Sequence, residues 1–228
     1  MHRIIIGFML IAFLAACGNS KTDEVSVPPI PSTDDKPDDK PPAPADDRPI
    51  ILAFGDSLTA GSGLPPGSGY PEILQAELDS RGYKYHVVNA GIGGDTTSDG
   101  LVRVERAVAL HPEIVILELG GNDGLRGIPV ESMQSNLEKL ILAFQNGGSR
   151  VILAGMTLPR NYGAEYISTF EKVYVALATK HKVTLIPFFL EGAAGNPELN
   201  VDEIHPNQAG YKIVTANVLR YLEPMLTK

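Results

Sequence analysis

Ser57 follows a short apolar stretch, in a position where its hydroxyl group could act as a nucleophile. Residues 50–54 are all apolar, and Gly55 and Asp56 separate them from Ser57. An apolar run that stops at a glycine is typical of a buried parallel strand. Ligands of open α/β sheets bind beyond the carboxyl ends of such strands. Ser57 is therefore a candidate nucleophile if a base lies nearby. The alternative is a turn serine that caps the next segment.

A serine nucleophile needs a general base, which is usually histidine, and the chain has five. His2 belongs to an N-terminal leader, and His86 lies within a predicted strand. His111 and His181 precede predicted strands, which assigns them to the opposite edge of the sheet. His205 follows the last predicted strand. The position of His205 therefore makes it the candidate base.

Asp202 lies three residues before His205 and could accept a hydrogen bond from its ring, which would fix the tautomer. Pro206 biases His205 away from helical geometry, so the imidazole should project from a loop. The following helix N-terminus would disfavour an imidazolium, and Asp202 would offset that effect. The alternative is that Asp202 and His205 only cap the helix.

Acyl transfer also needs hydrogen-bond donors for the oxyanion that develops on the substrate. The candidates are the backbone N–H groups of Ser57 and Gly94 and the side-chain amide of Asn122. Gly94 suits this role because a residue without Cβ lets the backbone approach a substrate, although a plain tight turn is the alternative. Three neighbouring acids are expected instead to organise loops through hydrogen bonds to the backbone: Asp56, Asp95 and Asp123.

Several other functional classes lack their motifs in this chain. There is no Gly-x-Ser-x-Gly elbow, no Walker loop and no zinc-type Cys/His cluster, and residues 91–94 lack the dinucleotide fingerprint spacing. We therefore expect no metal and no cofactor. The formal net charge is −8, and no basic stripe is present, so nucleic acid is not an expected partner.

Alternating apolar runs and helical patterns predict the elements that position these residues. Strands are predicted at residues 50–55, 85–89, 114–119, 150–155 and 183–188. Helices are predicted at residues 71–81, 96–110, 131–146, 164–180 and 206–223. Five such alternations predict an α/β domain over residues 50–228, with a five-stranded parallel sheet between two helical layers, a three-layer α/β/α arrangement.

The N-terminal region predicts export and attachment to a membrane. Residues 1–16 have Arg3, an apolar segment and small residues, as in a secretory signal. They lead to Cys17, the only cysteine, in a sequence that resembles the lipobox of bacterial lipoproteins, and an ordinary cleaved signal peptide is the alternative. The range 17–49 is therefore predicted to be a lipidated Cys17 followed by a tether. The tether is expected to be disordered and extended, because it is rich in proline and aspartate.

The segment 124–129 follows Asn122 and contains two glycines beside Leu125 and Ile128. It is expected either to close over an acyl chain as a mobile loop or to connect rigidly to the helix at 131.

Four separated motifs resemble the sequence blocks of the GDSL or SGNH hydrolases. They are Gly55-Asp56-Ser57-Leu58, Gly94, Gly120-Gly121-Asn122-Asp123 and Asp202-x-x-His205. Segments at residues 121–127, 158–163 and 187–189 are similar to the thioesterase I/protease I/lysophospholipase group of that family, often labelled arylesterase. The resemblance implies a flavodoxin-like fold, a triad of Ser57, His205 and Asp202, an oxyanion hole from Ser57, Gly94 and Asn122, and no metal.

The resulting functional expectation is a serine ester hydrolase that forms an acyl-enzyme on Ser57. Its expected substrates are aryl or acyl esters, acyl thioesters and lysophospholipids. The alternatives are a polysaccharide O-acetyl deacetylase and a catalytically silent surface binding module. The expected location is the bacterial cell envelope, with the lipid on Cys17 in the outer membrane and the domain facing the periplasm. The lipobox and tether depart from the best-known members of that group, which are soluble.

Overall fold

The computed structural model of this protein describes residues 46–228. The predicted signal segment 1–16 lies outside the described residues. So do Cys17 and all but the last four residues of the predicted tether 17–49.

The described chain alternates strands and helices along its length. The strands are β1 (Ile50–Gly55), β2 (His86–Gly91), β3 (Ile114–Glu118), β4 (Arg150–Ala154) and β5 (Thr184–Ile186). The α-helices are α1 (Ser57–Ala60), α2 (Tyr70–Ser80), α3 (Thr97–Val108), α4 (Gly121–Leu125), α5 (Val130–Asn146), α6 (Ala164–His181) and α7 (Gln208–Leu222). Short 3₁₀ turns lie at Arg160–Tyr162 and Glu223–Met225.

All five strands are parallel, in the order β2-β1-β3-β4-β5, which is the flavodoxin-like order. The predicted five-stranded sheet of an α/β fold is therefore confirmed. Strand β1 lies between β2 and β3, and its last residue, Gly55, is aligned with Gly91 on one side and Glu118 on the other. The loops that follow these three strands consequently leave the sheet at the same edge.

Apolar helix faces cover the sheet as the helical periodicity predicts. The apolar face of α5 is fully enclosed, with every member buried: Met133, Leu137, Leu140, Ile141 and Phe144. The Phe144 ring packs edge-on against Phe54 of β1, with ring centroids 5.2 Å apart. Each such side chain stabilises the fold by about 1.5–3 kcal/mol. Within residues 46–228, no helix is long and apolar enough to cross a membrane.

Several element bounds differ from the sequence-based expectation, and β5 covers only Thr184–Ile186 of the predicted 183–188. Helix α7 begins at Gln208 rather than at 206, because the Asn207 side chain caps it by accepting from the N–H groups of Ala209 and Gly210. Pro206 instead forms an isolated bridge with Asn200. Helices α1 and α4 were not predicted, since four or five residues are too few to show a helical period.

Candidate active site

Ser57 is the first residue of α1 and lies just beyond the carboxyl end of β1. Asp56 caps this helix, because its Oδ1 accepts from the N–H of Leu58 at 3.0 Å. Gly61 closes the turn in the left-handed region, with φ of 74°. A buried strand and a capped turn therefore hold the serine hydroxyl at the carboxyl edge of the sheet.

His205 and Asp202 meet Ser57 at this edge. The His205 Nε2 atom lies 2.9 Å from Ser57 Oγ, and its Nδ1 atom lies 2.8 Å from Asp202 Oδ2. With the Nδ1 proton donated to Asp202, Nε2 can accept the hydroxyl proton of Ser57. The structure thus brings the three predicted residues into one hydrogen-bonded chain that can deprotonate a serine.

The Asp202 carboxylate is held by several donors on its own loop. Its Oδ1 atom accepts from the N–H groups of Ile204 at 2.9 Å and His205 at 2.7 Å. Partial burial acts to raise the pKa of Asp202. The hydrogen bonds from Ile204 and from the ring and N–H of His205 outweigh it and lower the pKa to about 2. Asp202 therefore remains an anionic acceptor beside the base at neutral pH.

Asn122 lies in the first turn of α4, close to the same edge. The helix begins after Gly120, whose φ is 111°, and a Cβ atom there would lie 2.3 Å from the Tyr174 hydroxyl. The Asn122 Nδ2 atom donates at 3.0 Å to Asp56 Oδ2 and at 3.0 Å to the carbonyl of Asp95. Both amide hydrogens are thus engaged, so a substrate oxyanion would have to share one of them.

Gly94 lies beyond β2 with φ of 85°. Its carbonyl accepts from Arg126 Nη2 at 2.7 Å, which ties the loop after β2 to the residue that follows α4. Within residues 46–228, neither the Ser57 N–H nor the Gly94 N–H has a hydrogen-bond acceptor. Both backbone groups are therefore available as donors.

The neighbouring acids behave differently from one another. Asp123 binds backbone as predicted, but that of another element: it accepts from the N–H and hydroxyl groups of Thr97, the first residue of α3, at 2.9 and 2.6 Å. Asp95 departs from the expectation because its carboxylate pairs with the Arg103 side chain at 2.7 Å rather than with backbone.

A cavity of about 440 Å³ opens beside Ser57 and His205, within the size range of small-ligand sites. Loops that follow β3, β4 and β5 form most of its wall. The lining side chains are mainly apolar: Leu58, Leu125, Met156, Leu158, Pro159, Phe188, Leu190, Ala194 and Ile204. Arg160 and Glu203 also border it. The cavity can enclose an apolar group attached to a carbonyl that Ser57 attacks.

Glu118 is a feature of the site that the motifs do not reveal. Its side chain is fully buried at the end of β3, directly behind the turn that holds Ser57, and its Oε2 atom accepts from Thr59 Oγ1 at 2.9 Å. Burial, followed by the charge of Asp56, raises the pKa of Glu118 well above its usual range. The only sequence signal was an acid at the end of an otherwise apolar run.

Comparison with known proteins gives consistent matches over this domain. Residues 53–213 match the model of the GDSL-like Lipase/Acylhydrolase family. The chain is 43% identical over 178 residues to the esterase TesA of Pseudomonas aeruginosa, covering 77% of this chain and 89% of that protein. It is 40% identical over 158 residues to an arylesterase of Vibrio mimicus, covering 68% and 79%.

The thioesterase 1/protease 1/lysophospholipase L1 of Escherichia coli is 34% identical over 178 residues, covering 77% of this chain and 84% of that protein. Among solved structures, the crystal structure of TesA matches with a TM-score of 0.75 at 42% identity. That match covers 78% of this chain and 99% of the TesA chain, so the whole solved fold is represented here.

Proposed function

Because this chain belongs to the GDSL-like lipase/acylhydrolase family, we propose that its Ser57 hydrolyses acyl esters and thioesters through an acyl-enzyme. The family predicted from the sequence motifs is confirmed, and so is an ester hydrolase activity of the esterase, thioesterase or arylesterase type. The observation that carries the mechanism is the continuous contact from Ser57 Oγ through His205 to Asp202.

In the proposed first step, His205 Nε2 takes the hydroxyl proton while Ser57 Oγ forms a bond to the acyl carbonyl carbon. The tetrahedral intermediate collapses, and His205 returns that proton to the departing alkoxide or thiolate. Water then attacks the acyl-enzyme, again giving a proton to His205. This proton finally reaches Ser57 Oγ as the carboxylic acid leaves. Asp202 stabilises the imidazolium in both halves.

The oxyanion of each intermediate is proposed to lie between the N–H groups of Ser57 and Gly94 and the amide of Asn122. The two backbone donors are supported by their lack of an acceptor in residues 46–228. For Asn122, the hydrogen bond to the Asp95 carbonyl would be shared with the oxyanion as negative charge develops.

The apolar wall of the cavity supports acyl chains longer than acetyl as substrates. Enclosing methylene groups stabilises binding by about 0.8 kcal/mol each, whereas a sugar hydroxyl against the same wall would lose its hydrogen bonds. Aryl or acyl esters, acyl thioesters and lysophospholipids fit this site better than the polysaccharide deacetylase alternative. An intact hydrogen-bonded Ser57 and His205 give no support to a silent binding module.

We further propose that the enzyme acts in the bacterial envelope, attached to the outer membrane through lipidated Cys17 and facing the periplasm. The lipobox-like sequence before Cys17 and the following proline-rich residues support this location.

Steady-state hydrolysis of p-nitrophenyl esters from acetyl to palmitoyl, beside acyl-CoA and lysophospholipid, tests the proposal. Ser57→Ala and His205→Ala should each lower kcat by roughly 10⁶, and the double variant should be little worse. Medium-chain esters should exceed acetyl esters in kcat/KM. Wild-type turnover by either folded variant would contradict the mechanism, and a preference for acetylated xylan would favour the deacetylase.

A further inference from the structure

Two acidic side chains lie buried together directly behind the nucleophile. Glu118 is fully buried and Asp56 is 2% exposed. Neither forms a salt bridge with a basic side chain in residues 46–228. Burial of unpaired carboxylates is costly, and two of them in contact cannot both ionise readily. The proposed chemistry does not use either group, so the pair needs a separate explanation.

The absence of a side chain at Gly55 leaves the space that the Glu118 carboxyl group occupies. A Cβ atom on Gly55 would lie 2.6 Å from Glu118 Oε2 and 2.1 Å from Thr59 Oγ1, so a side chain at that position would displace both groups. The Oε2 atom accepts from Thr59 and lies 3.4 Å from the N–H of Asp56. The Oε1 atom has no hydrogen-bond partner among residues 46–228.

A proton on Glu118 makes the pair compatible with burial, because a neutral carboxyl can donate to the Asp56 carboxylate, with which it forms a side-chain hydrogen bond. Burial raises the pKa of both groups, and the charge of Asp56 raises the pKa of Glu118 further, whereas the pKa of Asp56 is about 6. At neutral pH, Glu118 is therefore the member that keeps the proton. The buried phenols of Tyr70, Tyr174 and Tyr211 face the same pair and have raised pKa values, so they add no charge.

The charged Asp56 then acts on the catalytic edge of the sheet. Its Oδ2 atom accepts from Asn122 Nδ2 at 3.0 Å, and this bond fixes the rotation of the Asn122 amide. The same Nδ2 group donates its second hydrogen to the Asp95 carbonyl. We propose that protonated Glu118 is a positioning residue: by donating to Asp56, it holds the carboxylate that orients the Asn122 amide for the oxyanion. This inference rests on the proposed function and assigns a role to a residue outside the motifs.

A double-mutant cycle between Glu118 and Asn122 tests the proposal, with kcat and KM measured on a medium-chain p-nitrophenyl ester. Glu118→Leu fills the space without a donor and should lower kcat roughly tenfold or more with little change in KM, because misplacement of a catalytic group acts on the transition state. Glu118→Gln keeps an N–H for Asp56 and should stay within about threefold of wild type. In the Asn122→Ala background, Glu118→Leu should lower kcat by no more than about twofold.

Thr59→Val is the matched control. It removes the other hydrogen bond to Glu118 at the same buried place, yet leaves the proton shared with Asp56, so kcat should change by less than about threefold. If Glu118→Leu does not fold, Glu118→Met replaces it as a more adaptable apolar side chain.

If the kcat losses of Glu118→Leu and Asn122→Ala multiply fully in the double variant, the inference is overturned and the proposed function stays intact. Equal kcat losses for Glu118→Gln and Glu118→Leu would have the same meaning. A folded Asn122→Ala enzyme with wild-type kcat would instead remove the oxyanion assignment, and this inference with it.

Discussion

At the residue scale, the base is held by a partner that remains half exposed. The side chain of Asp202 is 52% accessible, whereas that of His205 is 18% accessible. Solvent screens an exposed carboxylate, so its electrostatic contribution is smaller than that of a buried partner. Its value lies largely in orientation, since it binds the ring and the N–H of the same histidine.

Replacing Asp202 should therefore lower kcat less than replacing the base, His205. We expect Asp202→Ala to lower kcat by roughly 10⁴, about a hundredfold less than His205→Ala, because the base itself remains. Pre-steady-state and steady-state hydrolysis of p-nitrophenyl butyrate by both variants would measure this. An Asp202→Ala enzyme as inactive as His205→Ala would show that the anion is indispensable to the proton transfer.

The buried proton on Glu118 has a consequence for stability. Because its pKa is raised, Glu118 holds a proton in the folded protein that it releases in the unfolded chain. The resulting contribution to the free energy of unfolding is complete below the unfolded pKa of Glu118 and is lost as pH rises towards its folded pKa. The expected slope for one proton is about −1.4 kcal/mol per pH unit. Glu118→Gln should lack this pH dependence, because a glutamine side chain does not titrate.

Urea unfolding of wild type and Glu118→Gln between pH 5 and 8 would measure this effect. The stability of the variant relative to wild type should rise with pH from pH 5 towards the folded pKa of Glu118. Parallel pH profiles would mean that Glu118 is not protonated in the native state.

At the element scale, the sequence predicted what depends on long apolar periods. The five strands, the five longer helices and the meeting of Ser57 with His205 all follow from the pattern of apolar residues and from the rule that parallel strands end at one edge. Helices α1 and α4 could not be predicted, because each has only about one turn and is fixed by tertiary contacts.

The cavity wall and the role of Glu118 were equally hidden from the sequence. The wall combines residues from distant loops, and the environment of Glu118 depends on space left by Gly55 and on Thr59. The engagement of both Asn122 amide hydrogens likewise depends on side-chain contacts that no spacing encodes.

The segment 124–129, which begins in the last residues of α4, offers a test with an internal control. Leu125 lines the cavity, whereas Ile128, three residues later, is half-buried outside its wall. The carbonyl of Leu125 also accepts from the Tyr162 hydroxyl at 2.9 Å, which ties the segment to the rest of the domain.

Leu125→Ala should lower kcat/KM for an octanoyl ester roughly tenfold while changing acetyl-ester turnover little, because an apolar contact with the chain is lost. Ile128→Ala should alter both substrates equally. Chain-length profiles of the two purified variants would measure this difference. A uniform loss in Leu125→Ala would assign the residue a purely structural role.

At the scale of the whole molecule, the active domain and the proposed anchor are separate in sequence. The triad and the oxyanion-hole candidates lie between residues 57 and 205, whereas Cys17 precedes them and lies outside the described residues. Buried acyl chains contribute about 0.8 kcal/mol per CH₂ to membrane attachment, so several chains on one cysteine would anchor the protein stably.

We expect the wild-type protein to fractionate with membranes in a bacterial host, and Cys17→Ser to be soluble or mis-processed with an active domain. Membrane fractionation with an esterase assay on each fraction would measure this. Equal partitioning of the two proteins would contradict lipid attachment at Cys17.

The central claim, that Ser57 carries the acyl group, is tested most directly by mapping a covalent adduct. A fluorophosphonate probe should modify wild type once, and tandem mass spectrometry should place the added mass on the peptide that contains Ser57. Ser57→Ala should remain unmodified, and His205→Ala should react far more slowly because its serine lacks a base. Labelling of Ser57→Ala to the wild-type extent, or an adduct on a different residue of the active enzyme, would contradict the account.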